Sequence, residues 1–275
     1  MTEKQSLHPF DQAISLTKKE DKYIGETSAL YENMVGPYGG IIAAVLLNSV
    51  MIHPQRLGDP LALTVNYAAP VKNGKFEIKP LPVRTNRSTQ HWYLTLSQDD
   101  GIAATATIVT ANRRETWSSQ EKTMPEVPDV NEIDSFSIKG LPSWFNQYDV
   151  RPIRGSMPPF LEIKGEEPFK ASNITQWIRD NPKRKMDFLS LASFADSPVP
   201  GVYVRRNNFV PTGTVSFTVY FHSTIEELND KEDGFVLVDV ESSRIHNNYC
   251  DQSGEIWSED KVLLATTSQI LYFRE

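Results

Sequence analysis

The pattern of apolar residues occurs twice along the chain, and this repetition constrains the fold more than any other feature. In each half, one run with helical character is followed by four runs with strand character. The first half has a helix at 39–50 and strands at 62–67, 75–84, 90–98 and 102–111. The second half has a helix at 186–195 and strands at 215–221, 234–245, 247–253 and 261–274. Neither half covers its own sheet well, so we expect the two to pack together and to leave a ligand site at their seam.

Turn-forming residues divide these runs. The segment 99–101 ends in a glycine, which adopts positive φ at low cost, and it predicts a tight hairpin in the first half. A matching turn is expected at 252–255 in the second half. Asn181 and Pro182 predict the start of the second helix, because Asn caps free amides and Pro at the first turn loses no hydrogen bond.

The segment 114–142 separates the two halves. It contains Pro125, Pro128, several acidic residues and few large apolar ones, which is typical of a linker. The sequence therefore predicts an N-terminal unit at 1–113, a linker at 114–142 and a C-terminal unit at 143–275.

Charge and cysteine content narrow the function. A net charge of −7 opposes nucleic-acid binding, which usually needs a basic face. The single cysteine, Cys250, excludes an intrachain disulfide framework and a cysteine-based metal site. The N-terminus lacks the apolar core of a secretory signal, and the longest apolar stretch is too short to span a bilayer. We expect a cytoplasmic protein with no metal and no membrane partner.

Four short segments together resemble one family. They are Leu-Ala-Ser-Phe-Ala-Asp at 191–196, Gly-Thr-Val-Ser-Phe-Thr-Val-Tyr-Phe-His at 213–222, Leu-Ala-Thr-Thr-Ser-Gln-Ile at 264–270 and Gly-Pro-Tyr-Gly-Gly at 36–40. In this order they are similar to the acyl-CoA thioesterase II (TesB-like) family, over roughly residues 25–275. The resemblance implies an α+β double hotdog fold, in which two tandem half-domains each wrap an antiparallel sheet around a central helix.

The resemblance also implies an activity and its residues. The family's hydrolytic trio corresponds to Asp196, Thr214 and Gln269, which would hold the water that splits acyl-CoA into a free acid and coenzyme A. No cofactor is implied beyond the coenzyme A of the substrate, and a homo-oligomer is expected. Gly39 and Gly40 begin the other half's helix, where unpaired amides and the helix dipole suit the thioester oxygen as it becomes negative.

Arg84, Arg87 and Ser88 are candidate contacts for the phosphates of coenzyme A, although exposed loop charges would have the same sequence. Where the family commonly has Asp and His after the threonine, this chain has Ser216 and Phe217. Two other functions therefore stay open. One is a non-catalytic protein that binds acyl-CoA or another acyl ligand, and the other is a hotdog dehydratase or acyl transferase.

Overall fold

The computed structural model describes residues 7–99, 101–137, 139–155, 170–206, 208–231 and 233–274, so Asp100 of the predicted turn at 99–101 lies outside the described residues. The helices are α1 (Pro9–Ala13), α2 (Gly39–Met51), α3 (Phe188–Phe194), α4 (Gly201–Arg206) and α5 (Ile225–Asn229). The strands of the first half are β1 (Thr17–Lys19), β2 (Lys22–Glu26), β3 (Asp59–Tyr67), β4 (Lys75–Thr85), β5 (Thr89–Gln98) and β6 (Gly101–Ala111). Those of the second half are β7 (Tyr148–Arg154), β8 (Ile174–Asp180), β9 (Thr212–Phe221), β10 (Val236–Glu241), β11 (Ile245–His246), β12 (Tyr249–Ser258) and β13 (Leu263–Phe273).

The strands of the described residues form one antiparallel sheet that runs through both halves. Its order is β1-β2-β4-β5-β6-β3-β9-β13-β12-β10-β8-β7, and β11 pairs with β12 off this path. The halves join where β3 pairs with β9, from Ala62 opposite Tyr220 to Asn66 opposite Ser216. The prediction of two half-domains, each a curved sheet around a helix, is confirmed, and the two sheets are continuous at the seam.

The central helix α2 is buried on all sides. Every residue from Gly40 to Leu47 is buried, because the helix lies under the first half's sheet and packs against α3. A helix without a polar face needs such an enclosed position. No helix of the described ranges is long and apolar enough to cross a membrane.

Helix α3 begins later than predicted. Its N-cap is Asp187, whose carboxylate accepts hydrogen bonds from the amides of Leu189 and Ser190 at 2.9 Å each. The predicted start at Asn181 and Pro182 is wrong, because these residues follow β8 directly. A carboxylate that satisfies two amides of the first turn is the stronger start signal.

The predicted turn at 252–255 is also wrong, since this segment lies inside β12. The glycine at position 254 is required by the close approach of β12 to β10. A Cβ built on Gly254 would lie 1.9 Å from the carbonyl oxygen of Asp239. The glycine thus marks a close backbone approach within the sheet, which its sequence does not distinguish from a turn.

The segment 114–142 packs on the sheet of the second half. Val130 from this segment joins Trp177, Leu237 and Trp257 in a small apolar cluster on the sheet. The indole nitrogen of Trp177 donates to the carbonyl of Pro128 at 3.3 Å. The segment therefore covers part of the outer face of the C-terminal sheet, whose inner face holds the main core.

Candidate active site

Asp196 lies two residues beyond the end of α3, and its carboxylate faces the start of α2. The backbone amide of Gly40 hydrogen-bonds to it. A Cβ built on Gly39 would lie 2.6 Å from Oδ2 of Asp196, so only glycine leaves room for the carboxylate. The second half thus supplies an acid to the helix of the first half.

The start of α2 is open to this acid because nothing local caps it. Its N-cap is Tyr38, which makes no side-chain cap hydrogen bond. The amides of a first helical turn have no carbonyl partner within the helix, and the helix dipole favours negative charge beside them. The start of α3 differs, since Asp187 closes it.

Burial raises the pKa of Asp196 to about 7, and the hydrogen bond from the Gly40 amide opposes this rise. Desolvation dominates because a carboxylate loses more from leaving water than one amide returns. Near neutral pH the carboxylate is therefore present in both protonation states, which is the condition that suits a general base.

Thr214 and Gln269 meet on the inner face of the sheet through a β-bulge. Thr214 pairs with Leu271 and Ser216 pairs with Ile270, so Val215 is the extra residue of β9. The bulge turns Thr214 to the inner face, beside Gln269, while 40% of the surface of Val215 is exposed. The Thr214 hydroxyl donates to Oε1 of Gln269 at 3.4 Å, which is long for such a bond, so the strands hold the pair together more than the bond does.

The end of β3 links this pair to Asp196. Tyr67 follows Asn66, which pairs with Ser216 of β9 just after the bulge. The Tyr67 hydroxyl donates to the carbonyl of Gly39 at 2.7 Å, on the peptide that faces Asp196. The end of β3 therefore lies beside the bulge in β9 and reaches the peptide at Asp196, and no hydrogen bond joins the Asp196 carboxylate to the Thr214–Gln269 pair within the described residues.

Aromatic side chains wall off the region behind Asp196. The Tyr38 ring stacks on Trp144 with centroids 4.2 Å apart, and its hydroxyl donates to the carbonyl of Ser193 at 2.6 Å. The hydroxyls of Tyr148 and Ser193 are 2.7 Å apart. This packing excludes water from one side of the acid, consistent with its raised pKa.

Sequence patterns miss the tyrosines, Tyr38 and Tyr67. One signal for Tyr67 exists: when the strands of the two halves are aligned, it falls on Phe221 of the second half. A hydroxyl at an inner position where the other repeat is wholly apolar is a reason to look for a polar partner. Nothing in the sequence indicates that the partner is Gly39.

Arg84, Arg87 and Ser88 lie elsewhere. Arg84 lies near the end of β4, and Arg87 and Ser88 lie in the loop that joins β4 to β5, at the level where Thr89 pairs with Ala111 and Ala111 pairs with Asp59. Asp59 is the first residue of β3 and Tyr67 the last, and eight steps along a strand span about 26 Å. The structure does not bring these three residues to the Asp196 region, and coenzyme A binding by them stays a prediction.

Two family models match the chain. The acyl-CoA thioesterase C-terminal domain matches residues 119–273, and the acyl-CoA thioesterase N-terminal domain matches residues 30–111. The first match begins inside the segment 114–142, the part that packs on the C-terminal sheet. No curated protein matches the chain.

Several solved structures share the fold over almost the whole length. A conserved protein of unknown function with a hot dog fold from Alicyclobacillus acidocaldarius is 44% identical with a TM-score of 0.92, covering 98% of this chain and 99% of that one. A putative thioesterase II from Thermobifida fusca is 16% identical with a TM-score of 0.82, covering 98% of both chains. Acyl-CoA thioesterase II TesB2 from Mycobacterium marinum is 15% identical with a TM-score of 0.74, covering 96% and 98%.

Proposed function

The chain belongs to the acyl-CoA thioesterase family, and from this premise we propose that Asp196, Thr214 and Gln269 hold the water that hydrolyses its acyl-CoA substrate. The observation that carries the proposal is the placement of Asp196. A buried carboxylate with a pKa of about 7 faces an uncapped helix start, and the end of β3 reaches from this helix start to the bulge of β9 that carries Thr214.

In the proposed reaction Asp196 accepts a proton from the water as the water oxygen forms a bond to the thioester carbon. The carbonyl oxygen becomes negative, and the carbon–sulfur bond then breaks. The sulfur leaves with the electron pair and receives the proton from Asp196, which gives the acid and the free thiol. This route uses water and protein side chains alone, and it makes turnover rise with pH as the carboxylate ionises.

Thr214 and Gln269 would orient the water. Oε1 of Gln269 accepts from Thr214, whereas its amide nitrogen makes no hydrogen bond to any described residue. The residue as a whole is 5% exposed, and a water or a substrate oxygen would satisfy this nitrogen. The strands fix the direction in which this donor points.

The helix start supplies the remaining donor. The predicted role of Gly40 in binding the thioester oxygen changes, because its amide is directed at Asp196. Gly39 stands at the first helical position, where an amide has no carbonyl partner within the helix. We assign the developing negative charge to the Gly39 amide, and one such donor contributes roughly 3 kcal/mol to transition-state binding.

The test compares Asp196→Asn with Asp180→Asn. Asp180 is a matched control: it is a second buried carboxylate whose pKa burial raises to about 7, and it is the last residue of β8, where it accepts a hydrogen bond from Ser190 in the first turn of α3. Release of free thiol from acyl-CoA of several chain lengths is measured. We expect Asp196→Asn to lose roughly 100-fold or more in kcat/KM, as for loss of a general base, and Asp180→Asn to stay active.

Equal loss in the two variants would assign the effect to folding and reject the role of Asp196. Saturable binding of acyl-CoA to the native protein, without turnover at any chain length, would favour the non-catalytic binding protein instead. A hydroxyacyl product or a transferred acyl group would favour the dehydratase or transferase.

A further inference from the structure

One peptide group connects Tyr67 to Asp196. The carbonyl of Gly39 and the amide of Gly40 belong to the same peptide bond. Tyr67 donates its hydroxyl to the carbonyl end at 2.7 Å, and Asp196 accepts from the amide end. The Tyr67 oxygen also lies 3.5 Å from the Cβ position of Gly39, on the side where the Asp196 carboxylate lies 2.6 Å away.

We propose that Tyr67 is a positioning residue of the hydrolase, whose hydroxyl holds the Gly39–Gly40 peptide with its amide aimed at Asp196 and strengthens that amide as a donor. This inference rests on the proposed function, because the consequence of the contact is the basicity of Asp196. It adds to the hydrolytic site a residue from the first half that neither touches the water nor belongs to the predicted trio.

The physical reason is the polarisation of the peptide bond. A hydrogen bond donated to a carbonyl draws electron density toward the oxygen and leaves the N–H of the same peptide more positive. Hydrogen bonds in such a chain strengthen one another by roughly 10–30% each. A stronger Gly40 amide stabilises the charged form of Asp196, so the Tyr67 hydroxyl lowers the pKa that burial raises.

Among the groups around Asp196, this peptide has the main influence on the pKa of its carboxyl group besides burial. The titratable groups that face the carboxylate are the hydroxyls of Tyr38 at the start of α2, Tyr67 at the end of β3 and Tyr148 in β7. Burial raises the pKa of each tyrosine further above its ordinary value, so all three are neutral. Burial and the Gly40 amide are what shift the pKa of Asp196.

The first experiment replaces Tyr67 by Phe, which preserves the ring and removes the hydroxyl. The control is Tyr38→Phe, because Tyr38 also donates to a backbone carbonyl near Asp196, but to that of Ser193. The titration of Asp196 is followed by NMR with carboxyl-labelled aspartate, assigned through Asp196→Asn. We expect its pKa to rise by about 0.3 in Tyr67→Phe and to move less in Tyr38→Phe, since only one of these bonds reaches the Gly40 amide.

The pH profile of kcat/KM should move toward higher pH by the same amount. A uniform loss of rate at every pH, with an unchanged pKa of Asp196, would mean that Tyr67 only packs against the site. That result would overturn the inference. That result differs from failure of the proposed function, in which Asp196→Asn itself keeps native turnover.

A second measurement does not depend on removing a group. Incorporation of 3-fluorotyrosine at position 67 keeps the shape of the side chain and makes its hydroxyl a stronger donor. The inference requires the pKa of Asp196 to fall in this protein, opposite to its rise in Tyr67→Phe. Shifts of the same sign in both proteins, or no shift in either, would contradict it.

Discussion

At the scale of single residues, Asp196 is held where its charge is costly. Burial raises its pKa from an ordinary value near 4 to about 7, so between these pH values the unfolded chain ionises and the folded chain does not. Stability from the neutral acid is complete below pH 4 and is lost as the pH rises through 7. A residue kept at such a cost is expected to serve function.

The corresponding prediction concerns stability. At pH 8 the free energy of unfolding of Asp196→Asn should exceed that of the native protein by roughly 1–3 kcal/mol, and the variant should unfold at a higher urea concentration. The reason is that a buried amide stays neutral, whereas the buried carboxylate is ionised at this pH. Near pH 3.5 the two proteins should be almost equally stable. Urea denaturation at both pH values checks this, and a variant that is less stable at pH 8 would show that the carboxylate is mainly a cap for α2.

At the scale of elements, the start of α2 depends on the absence of a side chain at Gly39. In Gly39→Ala the new methyl group would meet Oδ2 of Asp196 at 2.6 Å, and the flexible carboxylate can move away. We expect the fold to survive, since Ala favours a helix, and thiol release to fall roughly 10- to 100-fold as the acid is displaced.

Gly213 offers the matched control for this change. It precedes Thr214 in β9, and a Cβ built on it meets nothing within 4 Å. Gly213→Ala should therefore keep both stability and turnover. A similar loss of turnover in the two variants would disconnect the effect from the displacement of Asp196.

The bulge in β9 makes a second prediction at this scale. Exchange of two neighbours, Thr214→Val with Val215→Thr, keeps composition but moves the hydroxyl to the outer face. If the bulge is present, the exchanged protein is as impaired as Thr214→Val alone, roughly 10- to 100-fold in kcat. Native turnover in the exchanged protein would mean that the strand is regular there and that residue 215 faces Gln269.

Sequence patterns predict elements where local composition decides them. Helix α2 is predicted to within one residue of its end at Met51, because an unbroken apolar run leaves no alternative to a buried helix. The predictions fail where distant backbone decides, as at Gly254, which β10 approaches closely. The start of α3 fails because Asn181 and Asp187 are both good caps and only packing selects between them.

For the site, the sequence supplies the residue types but not their arrangement. Asp196, Thr214 and Gln269 could be selected by resemblance, yet the bulge at Val215 that turns Thr214 inward has no sequence signal. Tyr67 is beyond local patterns because it acts on a peptide 28 positions earlier in the chain. Register and long-range hydrogen bonds are properties of the assembled sheet.

At the scale of the whole molecule, we expect the two halves to unfold together, because they are joined across the seam. Strand β3 pairs with β9 across the seam, the Thr64 and Thr218 hydroxyls are 3.0 Å apart, and one apolar core includes residues of both central helices. We expect the slowest-exchanging amides of β5 and β12 to give the same free energy of opening in hydrogen-exchange mass spectrometry. A first half that opens at lower denaturant would show that the seam is weaker than its pairing suggests.

The unequal helix starts have a consequence for valency. The start of α3 is occupied by its own Asp187, whereas that of α2 has no cap of its own and receives Asp196. On the proposed assignment, duplication of the half-domain has therefore not duplicated the hydrolytic centre. A non-hydrolysable thioether analogue of acyl-CoA should saturate the protein at one equivalent per polypeptide. The number of ligands bound to any assembly then equals the number of chains in it.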